Sequence, residues 1–204
     1  MSIMYKKLSL AVFTVTTSIL GLLSQSPAQA LNLISNGGFE TGDFTDWTPS
    51  GTVGVISVPV SEGSFSAVFG FGNTPNDGVL FQDIETVIGQ SYNLSFDFGL
   101  NKDPFIDQFL QVELIGSSVL LNETLSAQGP IDFNRFTFDF VADSTTTQVR
   151  FSDQSSETFR IDIHLDDVVV EAVVAETVPE PTSVMSLAFI GTLGLGAIAG
   201  CKHQ

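Results

Sequence analysis

The chain has 204 residues, with 7 Lys and Arg against 23 Asp and Glu, a formal net charge of -16. A surface of this sign repels phosphate backbones, which argues against nucleic acid and makes anionic lipid headgroups poor partners. Divalent cations and neutral polymers stay compatible with it, and the charge by itself also serves solubility. The single cysteine, Cys201, lies near the C-terminus, so the interior of the chain has no disulfide, no thiolate metal site and no Cys nucleophile.

Residues 1–30 read as a secretory signal peptide. Lys6 and Lys7 form the positive n-region, Leu8 to Leu23 are apolar or small, and Ala28-Gln29-Ala30 is the A-x-A pattern that signal peptidase accepts. Leu31 is then the expected first mature residue. Residues 31–175 are long enough for one domain with a real core and too short for two.

Within that domain the apolar period is two. After the turn at Asn36-Gly37-Gly38 comes Val79-Leu80-Phe81-Gln82-Asp83-Ile84, bounded by Thr74-Pro75-Asn76-Asp77-Gly78 and Gly89-Gln90. Leu94, Phe96 and Phe98 then alternate with Ser95 and Asp97, and Leu110, Val112 and Leu114 with Gln111 and Glu113. Farther on, Phe136, Phe138 and Phe140 alternate with Thr137 and Asp139. Phe159, Ile161, Ile163 and Leu165 alternate with Arg160, Asp162, His164 and Asp166. Each run predicts a half-buried antiparallel strand, and no segment sustains a 3.6-residue period. Many short strands between turn signals predict an all-β antiparallel β-sandwich with jelly-roll topology. Sixteen of the 18 Phe fall in this domain and are expected to fill the space between the sheets.

The C-terminal part, residues 176–204, has a different organisation. Pro179-Glu180-Pro181 precedes an apolar or small run from Val184 to Gly200, followed by Cys201, Lys202, His203 and Gln204. Seventeen such residues span roughly 25 Å as a helix, just short of a hydrocarbon core, which suits a transient transmembrane anchor. This layout resembles the PEP-CTERM sorting signal. The resemblance implies an exosortase as processing enzyme, passing occupancy of the inner membrane, and delivery to the cell surface or extracellular matrix. The usual Arg cluster of the tail is replaced here by Lys202 and His203.

The opening Asn32-Leu33-Ile34-Ser35-Asn36-Gly37-Gly38-Phe39-Glu40-Thr41-Gly42, with Phe44 and Trp47, resembles the first strand and turn of galactose-binding-like jelly rolls, including carbohydrate-binding modules. Residues 161–170 resemble their last strand. The resemblance implies a structural calcium where the two meet, held by the side chains of Glu40 and Asp166 with backbone carbonyls around Asn36 and Gly38. Asp167 is the alternative to Asp166. Carboxylates and carbonyls are the hard oxygen ligands calcium requires.

No catalytic residue is assigned. His164 is expected to face solvent on its strand, and no nucleophile elbow accompanies it. Asp103 and Asp107, between two strands, read as an ordinary loop with a second ion site as the alternative. Trp47 and Tyr92 are expected to pack in the sandwich, which leaves a glycan site short of the usual Trp and Tyr platforms and without assigned residues. The function expected is that of an exported surface or matrix protein, adhesive or structural, in contact with exopolysaccharide through weak carbohydrate binding. An envelope protein–protein interaction domain is the alternative, and an extracellular polysaccharide hydrolase ranks last.

Overall fold

In a computed structural model the chain is described over residues 31–71, 77–101, 108–127, 133–156 and 162–174. The signal peptide, the Pro179-Glu180-Pro181 motif, the apolar run 184–200 and the loop with Asp103 and Asp107 lie outside these residues. Ten strands follow in chain order: β1 (Thr48–Ser50), β2 (Val53–Ile56), β3 (Ser66–Phe69), β4 (Val79–Glu85), β5 (Ser91–Asn101), β6 (Gln108–Ile115), β7 (Val119–Ala127), β8 (Asn134–Val141), β9 (Thr146–Asp153) and β10 (Asp162–Ala172). All pairings are antiparallel. They form two five-stranded sheets, β1-β4-β9-β6-β7 and β2-β3-β10-β5-β8. No helix occurs among the described residues.

The period-two runs in β4, β5, β6 and β8 become strands because successive side chains point to opposite faces, one of them the sandwich interior. In β6, Gln108, Leu110, Val112 and Leu114 are buried and the residues between them are half-buried. In β5, Leu94, Phe96 and Phe98 enter the core with no exposure. Phe96 is the hinge-pin of that core: it stacks on Phe136 and Phe138 of its own sheet and meets Phe151 of the other sheet edge-on, centroids 5.1 Å apart. Trp47 and Tyr92 are buried, as their expected packing role requires.

The opening segment, residues 32–38, lies along β10. Asn32 bridges to Glu171, the Leu33 amide donates to the Val170 carbonyl at 2.8 Å, and the Val168 amide donates to the Gly37 carbonyl at 3.0 Å. β10 accommodates it with a bulge between Asp166 and Val169 against β5, Asp167 taking a positive φ of 46°. At the crossing the backbones are so close that a Cβ on Gly37 would sit 2.0 Å from the Val168 carbonyl oxygen. Both partners are backbone, so neither yields cheaply. Gly37→Ala is therefore expected to lower stability by about 1–3 kcal/mol, read as a fall in the urea midpoint at unchanged m-value.

Two expectations are overturned. The Phe residues do not all fill the space between the sheets: Phe71 is exposed, and Phe81 is half-buried on an outer face because its position in β4 points away from the core. His164 does alternate with the core residues Ile163 and Leu165, but it is fully buried and does not face solvent. Its strand is the middle one of its sheet, flanked there by Val68 of β3 and Gly99 of β5. The ring of Phe133 meets it edge-on at 6.4 Å. Neither imidazole nitrogen has a hydrogen-bond partner among the described residues, and burial pushes its pKa down to about 4. A neutral ring is the only form that fits such surroundings.

Candidate functional site

Two places on the sandwich carry chemistry. The first is where the opening turn meets the β10 bulge. Backbone strain gathers there: Asn36, Phe39 and Asp167 all have positive φ, 50°, 56° and 46°. For a bulky residue such as Phe39 this conformation is held only by its surroundings, here Phe44 and Trp47 against its ring. The result is to turn Glu40 back across the sandwich. Its Oε1 accepts from the amides of Ser64 and Phe65, at 2.8 and 3.0 Å.

Asp166 is fully buried beside it. Its Oδ2 accepts from the Ser61 amide and hydroxyl and from the Glu62 amide, at 2.8, 3.0 and 3.2 Å, and its Oδ1 accepts from the Asp167 amide at 2.8 Å. Burial pushes this carboxyl's pKa up, against the pull of those donors. Asp167 points differently: it pairs with Arg135, which also reaches Asp97 at 3.4 Å. Together Gly38, Glu40, Glu62, Gly63, Asp166 and Asp167 line a cavity of about 300 Å³.

The structure thus brings together Glu40, Asp166 and Gly38 from the residues expected at a metal, and it places Asn36 aside. The Asn36 carbonyl accepts from the Phe39 amide and the Trp47 indole, both at 3.1 Å, while its side chain bonds Thr41, Asp43 and Thr45 of the same turn. Asn36 shapes the turn and does not line the cavity. A Cβ on Gly38 would lie 3.7 Å from the Glu40 Cγ and 3.9 Å from Asp166 Oδ1, so this glycine sits beside both side chains. The donor set is all oxygen, and among the described residues no hydrogen bond is made to Glu40 Oε2. No group of three His, Cys, Asp or Glu suited to a metal occurs among the described residues, so a cation there would depend on carbonyls and water for most of its ligands.

The second place was not legible as a site in the sequence: the outer face of the sheet β1-β4-β9-β6-β7. The register lines up two rows of outward residues across all five strands. One is Thr48, Phe81, Arg150, Glu113 and Asn122; the other is Ser50, Val79, Ser152, Gln111 and Thr124. At about 4.8 Å between strands each row is about 19 Å wide. Amides and charges tie neighbours together: Gln111 donates to Asn122 at 2.9 Å, Gln154 to Gln111 at 3.1 Å, Gln148 to Asp83 at 3.0 Å, and Arg150 lies 3.7 Å from Glu113. In the middle, on β9, two buried groups lack partners among the described residues: Arg150 Nε and Ser152 Oγ. Buried polar atoms without partners are costly in a folded protein. The only sequence signal was the polar half of each alternation, such as Gln111 and Glu113.

The carbohydrate binding domain family matches residues 31–158. The chain belongs to this carbohydrate-binding family. Its sandwich is similar to that of TmCBM61, solved in complex with beta-1,4-galactotriose, at 18% identity and a TM-score of 0.57, over 71% of this chain and all of that one. It is also similar to the tandem CBM22-1-CBM22-2 domain of Paenibacillus barcinonensis Xyn10C, at 16% identity and a TM-score of 0.51, over 77% of this chain and 50% of that one. The xylan-binding CBM22-1 domain of the same protein matches at 14% identity and a TM-score of 0.50, over 74% of this chain and 99% of that one. At these identities the likeness concerns the fold. Comparison with curated protein sequences gives no match. Family membership accords with the absence of an assigned catalytic residue, since the family is one of binding domains.

Proposed function

We propose that this carbohydrate-binding domain holds a neutral polysaccharide on the outer face of the sheet β1-β4-β9-β6-β7, in an exported protein of the cell surface or extracellular matrix. The observation that carries the site is the pair of rows of largely polar side chains that the strand register draws across that face, with Arg150 at the centre of one and Gln111 in the other. Sugar hydroxyls donate and accept at once, and the Gln111, Asn122, Glu113 and Arg150 side chains offer both functions. Half-buried Phe81, directly beside Arg150, supplies the apolar surface that a sugar ring face needs. A face without Trp or Tyr makes the binding weak. The net charge of -16 favours neutral over anionic polymers.

Affinity electrophoresis through neutral β-linked galactan and xylan tests this. Retardation by at least one polymer is expected, and Arg150→Ala together with Gln111→Ala should remove it, each side chain contributing on the order of 1 kcal/mol. Retardation that survives both changes would move the site elsewhere, and none with any neutral polymer would end the reading.

Export and sorting complete the proposal: signal peptidase at Ala28-Gln29-Ala30, then recognition of Pro179-Glu180-Pro181 by an exosortase while residues 184–200 occupy the inner membrane. A shift in mass of the secreted form when Pro179-Glu180-Pro181 is changed to alanines would support that order of events.

We propose calcium as a structural ion between Glu40 and Asp166, joining the opening turn to β10. Thermal unfolding of the full chain in EDTA and then in millimolar calcium is the check. At ten times Kd, linkage gives about 1.4 kcal/mol, a rise of a few degrees in Tm. Glu40→Gln should abolish that rise; an unchanged Tm in calcium removes the ion from the proposal.

A further inference from the structure

Nine large apolar side chains are exposed among the described residues, and seven of them occupy one end of the sandwich. Val87 and Ile88 form the β4–β5 loop, at 67% and 62% exposure. Val119 and Val141 stand where β7 begins and β8 ends at that same end. Leu31 enters there, 78% exposed, and Val173 and Val174 leave there. The remaining two, Val58 and Phe71, lie apart from it. Single exposed apolar residues are ordinary on a protein surface; their concentration at one end is not.

This end is also prepared for contact with an apolar phase. The backbone of its loops is paired: the Thr86 amide donates to Thr145, Gly89 to Ala142 and Val173 to Ser91, at 3.0, 2.8 and 2.9 Å. Those three loop amides would therefore not be stranded there. The described residues hold two cations, Arg135 and Arg150, and neither is at this end, so attraction to anionic headgroups plays no part.

The chain itself says what covers this surface. Past Val174, nine residues, 175–183, lead to the apolar run 184–200. Nine residues reach at most about 32 Å, so a membrane-held run keeps this end close to the bilayer at high effective concentration. We infer that the end carrying Val87, Ile88 and Val141 is a docking surface for a zwitterionic lipid bilayer, on which the sandwich sits while its tail is anchored. The inference rests on the reading of residues 184–200 as a membrane segment. It leaves the outer faces of both sheets, including the proposed glycan face, directed along the membrane and open.

The test uses the full chain with Cys201→Ser, reconstituted in phosphatidylcholine nanodiscs whose acyl chains carry a collisional quencher. Fluorophores are attached at Ile88→Cys, Val141→Cys, Gln154→Cys at the opposite end, or Gly191→Cys within the apolar run. Strong quenching at 191, 88 and 141 with little at 154 is the expected pattern. Quenching at 191 with none at 88 or 141 overturns the inference while leaving the anchor intact. No quenching at 191 removes the anchor and the inference with it. Efficient disulfide formation between Ile88→Cys copies in lipid-free solution would show that a second copy covers this end, which also overturns it.

Discussion

Phe96→Ala is expected to lower the unfolding free energy by about 3–5 kcal/mol. The side chain is fully buried, and it stands between the sheets where Phe136, Phe138 and Phe151 converge. Removing it forfeits the transfer energy of the ring and leaves a cavity bounded by other rings. Those rings are held by neighbouring strands and collapse into it poorly. The domain has no disulfide to limit the damage, because the only cysteine is Cys201. Urea unfolding followed by the fluorescence of Trp47, the single tryptophan, measures it directly. A loss below about 1.5 kcal/mol, the range of tolerated volume-conserving swaps, would mean that the sheets close over the gap and that Phe96 is not central. Phe96→Leu, which keeps most of the volume, should recover much of the loss.

The second large effect is acid sensitivity centred on His164. Its ring is neutral in the folded protein down to about pH 4, against an ordinary value of 6.5. The unfolded chain takes up a proton near 6.5 that the folded chain refuses. Above pH 7 the group is silent. Between pH 6.5 and 4 it removes stability, by about 3 kcal/mol in all. Asp162 works in the opposite direction. Burial, and secondarily Asp153, push its carboxyl pKa up to about 6. Here the folded form binds the proton first, so acidification from 6 toward 3.8 adds stability, less than the full linkage value because the group is only half-buried. Burial raises the Asp153 and Asp166 carboxyls in the same sense.

The wild-type profile is therefore the small difference of opposed contributions, and single variants separate them. His164→Met should flatten the fall in stability between pH 7 and 4.5, gaining about 2–3 kcal/mol relative to wild type over that interval. Asp162→Asn should steepen it. Denaturant midpoints at pH 7, 5.5 and 4.5 give both slopes. Parallel profiles for wild type and His164→Met would show that the imidazole titrates alike folded and unfolded, contrary to its burial.

His164 also shows where sequence reasoning reached its end. Alternation correctly placed it opposite Ile163 and Leu165, because side chains on a strand must alternate. Alternation carries no information about what lies over the second face. That depends on β10 being the middle strand of its sheet, between β3 and β5, and on Phe133 arriving from another part of the chain. The pairing of Glu40 with Asp166 followed a family resemblance in the sequence, and the structure does bring both to one cavity. It also assigns Asp166 to the interior and Asp167 to Arg135, a choice made by the bulge that no linear pattern encodes.

The strands β4, β5, β6 and β8, core residues such as Phe96 and Phe98, and the all-β class were legible in the sequence itself, because period-two burial and turn chemistry act over a few neighbouring residues. The face that we assign to sugar was decided only by tertiary structure. Phe81, Arg150, Glu113 and Asn122 come from four separate strands, and only the register of β4, β9, β6 and β7 makes them one row. Each looks alone like the ordinary polar or half-buried side of a strand. Pairing between strands distant in sequence is set by the closing of the whole core, and the site exists only once that has happened.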